Sequence, residues 1–137
     1  MFIWLHHPPG PDAPLSADAA YAAEWAALMP HLDSVRGLAG GHTHVPAAYE
    51  FAGRPVFVSP SLKNNFDLVS DTWLPPGYRT YEFHPDGRVT SEAHLIDDDR
   101  WPRHPMGRAV RSLLHGELTY AELEAIVARK AAAARER

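Results

Sequence analysis

The sequence has no cysteine, and that absence removes thiolate zinc sites, disulfide frameworks and cysteine nucleophiles together. Any metal held by this chain must use histidine, carboxylate or backbone oxygen. Long apolar runs are missing as well. Met1-Phe2-Ile3-Trp4-Leu5 is apolar throughout, but five residues without a preceding basic stretch are too few for a signal peptide or a membrane span. Nor is there an excess of basic charge: 17 acidic side chains face 13 basic ones, for a net charge of −4. Residues 1–99 hold five basic and 13 acidic groups, net −8, and residues 100–137 hold eight basic and four acidic, net +4. An acidic body argues against nucleic acid as a partner, because non-specific binding rests on neutralising phosphates with Lys and Arg. It suits a protein that recruits cations.

What is present fits an ordinary globular chain. The 137 residues are 45% hydrophobic and 22% charged, and one domain is the length expectation. The opening run reads as a strand, and since it lacks polar alternation it reads as one buried on both faces with neighbours on both sides. A chain that opens in the middle of such a sheet reads as incomplete. The expected location is the cytoplasm, with no membrane partner.

After the Pro8-Pro9-Gly10-Pro11 loop, Ser16 is a candidate N-cap, and Tyr21, Trp25, Leu28 and Leu32 fall at helical spacing until Pro30 ends or kinks the pattern. Val35 to Ala39 reads as a short strand running into Gly40-Gly41-His42-Thr43-His44. Residues 49–51 and 55–58 read as a hairpin turning at Gly53, residues 62–76 as a long polar loop, and residues 78–84 and 88–96 as a second hairpin turning at Pro85-Asp86-Gly87. Strand, helix, strand, then antiparallel strands is an α/β layered order. Residues 97–105 read as a linker containing Pro102 and Pro105. Residues 106–137 read as a basic helical tail, in which Thr119-x-x-Glu122 is a capping box opening a helix to about residue 136.

Two segments carry the chemistry: His6-His7-Pro8-Pro9 and Gly41-His42-Thr43-His44. Each follows an apolar strand directly, so each would deliver its imidazoles to the end of a sheet, where open α/β folds place their sites. In an extended loop His42 and His44 point the same way. Neutral imidazole suits zinc, manganese, iron or nickel, whereas magnesium and calcium prefer oxygen. Taken singly, each of these histidines is an unremarkable polar residue at a strand end; the joint pattern is more specific.

With these two motifs in this order, separated by a helix and a strand, residues 1 to about 96 resemble the C-terminal half of the calcineurin-like metallophosphoesterase superfamily. Pro55 to Ser61, Pro76-Gly77-Tyr78-Arg79 and Pro85-Asp86-Gly87-Arg88-Val89 resemble the closing strands of its branch of class III cyclic nucleotide phosphodiesterases and glycerophosphodiesterase-like enzymes. The resemblance implies the C-terminal portion of a four-layer αββα sandwich, with the helical tail appended. It implies two divalent metal ions, iron, manganese or zinc, that activate water for attack on a phosphate ester. It also implies roles: His6 and His42 on the second metal, His44 on the first, His7 as a neighbour supporting a ligand, and Thr43 beside the substrate rim.

The family's Asp-x-His, Gly-Asp-x-x-Asp and Gly-Asn-His motifs, which supply the remaining ligands and a catalytic histidine, do not occur in the sequence; its two Asn residues are Asn64 and Asn65. No catalytic residue is therefore assigned. The expectation is a phosphoric diester hydrolase fragment, inactive alone and at most a partial binder of metal, completed by a complementary N-terminal half. The alternatives are a split-enzyme subunit and a non-catalytic histidine-based metal-binding or interaction module.

Overall fold

The computed structural model describes residues 1–10, 19–63, 65–67, 70–101 and 104–135. The expected cap at Ser16, Asn64 and the linker residue Pro102 lie outside them. The first sheet joins β1 (Phe2–Trp4), β2 (Gly37–Gly40), β3 (Ala47–Phe51) and β4 (Arg54–Val58) in the order β1-β2-β4-β3. The β1, β2 and β4 strands run parallel, and β3 returns antiparallel on β4 as the expected hairpin. Between β1 and β2 the chain forms α1 (Ala19–Leu28), which tightens into a 3₁₀ turn over Met29–His31 where Pro30 removes a backbone donor.

Strand alternation sorts the side chains between two layers. Ile3, Leu38, Val56 and Tyr49 lie in register across the sheet. They meet Trp25 and Met29 of the helical layer and Val35 of the connection to β2, and Leu38, Val35 and Val56 have no measurable exposure. On the opposite face Phe2, Trp4 and Phe57 meet a long antiparallel hairpin. Preceding it, the segment expected to be a polar loop contains two short strands, β5 (Asn65–Asp67) and β6 (Thr72–Leu74). The hairpin itself is β7 (Gly77–Phe83) and β8 (Val89–Leu95). Its Tyr81 ring stands 5.6 Å from Phe2, 4.8 Å from Trp4 and 6.0 Å from Phe57. Arg79 ties the layers together: its guanidinium donates to the Val58 and Ala47 carbonyls and lies over the Phe57 ring. Burial holds its pKa below the ordinary arginine value.

The mixed α/β class expected from the sequence is the class observed. One expectation changes. Among the described residues β1 pairs on one side only, with β2, and Met1 and Trp4 are 62% and 60% exposed, so the apolar run lies at an edge of the sheet rather than at its centre.

The tail starts inside the sheet system. His104–Pro105, within the segment read as a linker, form β9, which pairs with β6. Two helices follow, α2 (Arg108–Leu114) and α3 (Tyr120–Arg135). The capping box at the head of α3 is formed: the Glu122 carboxylate accepts from the Thr119 backbone N–H at 2.8 Å, and the Thr119 hydroxyl accepts from the Glu122 N–H. No helix among the described residues is long and apolar enough to cross a membrane.

Candidate metal centre

Parallel pairing of β1 with β2 sets their C-terminal ends side by side. The ladder runs on past both strands, through Leu5 N–H to the Ala39 carbonyl at 2.8 Å and Gly41 N–H to the His6 carbonyl at 3.2 Å. His6 and His42 are therefore neighbours by register alone, with His42 Nδ1 3.2 Å from His6 Nε2. His7 joins them. Its ring lies 4.0 Å from that of His42 and 4.6 Å from that of His6, and one ligand nitrogen from each of the three falls within 4.8 Å of the others. Among the described residues this is the one cluster of three or more His, Asp, Glu or Cys side chains close enough to hold an ion.

The loop carrying His6 and His7 is held by two phenols from separate elements. Tyr21 of α1 donates to the His7 carbonyl and Tyr49 of β3 donates to the Pro9 carbonyl, both at 2.9 Å. Pro8 and Pro9 are themselves buried. Gly40 makes their position achievable, because a Cβ there would stand 2.8 Å from the Pro8 ring. Neither tyrosine is marked by the motifs; their role follows from packing across the sheet, which the local sequence does not announce.

His44 stands apart from the three. Its ring stacks on Phe66 of β5, centroids 5.5 Å apart and 15° from parallel. Its Nδ1 is buried without a hydrogen-bond partner. The loop is not extended as expected: His42 and His44 take φ values of 64° and 62°. Left-handed backbone is uncommon outside glycine, though histidine enters it more readily than most residues. Two such residues in one short turn send the rings to different places. Thr43 between them is 5% exposed, with its hydroxyl donating to the Val45 carbonyl.

The donor set fits a single borderline divalent cation. Three neutral imidazoles with nitrogens this close are the protein half of a tetrahedral zinc-type site, and the same ligands accept manganese or iron. The unpartnered Nδ1 of His44 is a further candidate donor, since a buried imidazole nitrogen without a partner costs free energy until something binds it. No carboxylate belongs to the cluster.

No protein-family model matches the chain. Curated relatives do. Over 107 residues, 72% of this chain, it is 31% identical to the 3′,5′-cyclic adenosine monophosphate phosphodiesterase CpdA of Escherichia coli (strain K12). The chain is a relative of the calcineurin-like metallophosphoesterases. It is also 32% identical, over 101 residues and 71% of its length, to a probable cyclic nucleotide phosphodiesterase of Synechococcus. The chain spans 38% of the length of each of these relatives.

Proposed function

We propose that this chain is the histidine-bearing, C-terminal portion of a metal-dependent phosphodiesterase acting on 3′,5′-cyclic nucleotides, and that it is inactive until carboxylate ligands are supplied from outside its own residues. The observation that carries the reading is the convergence of His6, His7 and His42 at the carboxyl ends of adjacent parallel strands, with no acidic side chain among them. The names of the two relatives supply the substrate class.

In this reading His6 and His42 hold one ion, His7 joins or supports them, and His44 serves a second position beside Phe66. A bound divalent ion would polarise a phosphoryl oxygen and lower the pKa of water. The chain's own contribution is orientation: Tyr21 and Tyr49 fix the backbone beneath His6 and His7, and Gly40 lets that loop approach β2. Two divalent cations at close range repel strongly unless an anionic ligand bridges them. One ion is therefore the expected occupancy of the isolated chain.

The open side of β1 supports the same reading. Phe2, Trp4, Tyr81 and Phe83 form an aromatic cluster beside the outer edge of β1, which pairs with no strand among the described residues and is suited to a further strand of a complementary half. The test compares hydrolysis of a bis-aryl phosphate and of cyclic AMP, with manganese, by the chain alone and by the chain joined to a segment bearing Asp-x-His, Gly-Asp-x-x-Asp and Gly-Asn-His. Activity only in the joined form supports the proposal. Equal turnover by the chain alone, or none by the joined form, overturns it.

The alternative of a non-catalytic metal-binding module is favoured by one observation, the absence of any carboxylate from the cluster. Metal binding without hydrolysis in the joined form would select it.

A further inference from the structure

The β5–β6–β9 sheet lies between the candidate centre and the helical tail, and each link across it is a direct contact. His44 stacks on Phe66. Phe66 is paired in register with Trp73, their rings 4.4 Å apart. Trp73 is paired in register with His104 of β9. Beyond β9 the chain turns into α2, and three groups of this segment grip one residue at the β5–β6 turn. The Asp71 carbonyl accepts from the Met106 N–H at 2.9 Å, its Oδ1 lies 2.7 Å from His115 Nε2, and its Oδ2 lies 3.6 Å from the Arg111 guanidinium. A carboxylate only accepts, so His115 Nε2 carries the proton in this contact.

Asp71 has the backbone such a grip needs. Its φ of 53° is left-handed, a region that aspartate tolerates better than most residues. Met106 beside it is 8% exposed, so the end of β9 is anchored by burial as well as by hydrogen bonds. The α3 helix packs on α2, and its capping box closes between Thr119 and Glu122 at its own first turn.

We infer that the β9–α2 segment is a strap that sets the orientation of the His44 imidazole, acting through Asp71, the β5–β6 hairpin and the Phe66 ring. Resting on the metal-binding reading above, His44 is then a ligand whose aim depends on residues more than 60 positions later in the chain. Phe66, Asp71 and His115 are positioning residues. The His44 Nδ1 has no hydrogen-bond partner to hold the ring, and the stack on Phe66 is the ring contact that defines its orientation. If the hairpin shifts, the ring follows or loses its partner.

The test is proton NMR of the histidine ring signals in the full, metal-free chain. His44→Gln assigns the His44 signal, and Phe66→Leu gives the position of an unstacked ring, free of the aromatic ring current. In the double variant Arg111→Ala with His115→Ala, the His44 signal is expected to move toward the Phe66→Leu position while those of His6, His7 and His42 stay. His115→Gln, whose amide can donate to Asp71 in place of Nε2, is expected to keep the wild-type position. A double variant with the His44 signal unmoved overturns the coupling; so does a common shift of all four signals, which is general loosening.

Zinc titration of the same proteins separates the two readings. A loss in zinc affinity of about ten-fold or more in the double variant extends the coupling to the metal. A wild-type chain that binds no zinc overturns the metal reading, while the NMR result decides the strap by itself.

Discussion

Adding one methyl group at Gly40 tests how closely the histidine loop is fitted to the sheet. A Cβ there would lie 2.8 Å from both Cβ and Cδ of Pro8 and 3.1 Å from its Cγ. Carbon atoms settle at about 3.5–4.0 Å, so the ring must retreat by roughly 0.7 Å or more. It has little room to do so. Pro8 is almost fully buried, and every residue of β2 is buried as well. Overpacking of this kind costs about 1–3 kcal/mol. With a urea slope of about 1–3 kcal/mol/M, the unfolding midpoint falls by roughly 1 M at an unchanged slope.

The next residue is the control, because a Cβ on Gly41 would meet no atom within 4 Å. Urea unfolding followed by tryptophan fluorescence gives both midpoints, and zinc titration gives both affinities. Gly40→Ala should lower stability and weaken zinc binding together, since Pro8 adjoins His7. Gly41→Ala should change stability by less than about 0.5 kcal/mol. Indistinguishable behaviour of the two variants would refute the claim that β2 buttresses the loop.

Other outcomes follow from the same contacts. Val56→Ala removes two methyl groups from a fully buried site and should cost about 1–2.5 kcal/mol in urea unfolding, with zinc affinity unchanged. Tyr49→Phe and Tyr21→Phe each remove one hydrogen bond to the His6–Gly10 loop, at about 0.5–1.5 kcal/mol of stability, and should each weaken zinc binding, checked by calorimetry. The Glu122 carboxyl is held below its ordinary pKa first by the Thr119 backbone N–H and then by its hydroxyl. Its support for α3 is therefore full above the unfolded pKa and lost as pH falls through the folded one; the far-ultraviolet helix signal should decline there, and Glu122→Gln should remove that pH dependence.

The sequence announced what depends on local pattern. Apolar runs at residues 2–5 and 35–39, each ending in a histidine motif, became the parallel pair β1 and β2, and register did the rest for His6 and His42. Pro30, the two hairpins and the capping box also act within a few residues of themselves, and the structure has all of them. The polar reading of residues 62–76 failed because β5 and β6 are only three residues each and are held by distant groups. Asn65, fully buried, donates to the Pro75 carbonyl and accepts from the Ser61 N–H, and β9 comes from 30 residues downstream. No local periodicity encodes such contacts. The same holds for the left-handed turn at His42 and His44: glycine precedes it, but the residues that adopt positive φ are the histidines themselves.

Zinc calorimetry on the full chain and on His6→Ala, His7→Ala and His42→Ala decides whether these three imidazoles hold an ion together. One ion is expected per wild-type chain, with affinity weakened by about ten-fold or more when His6 or His42 is removed. Zinc bound equally well by all three variants, or by none of the four proteins, would contradict it.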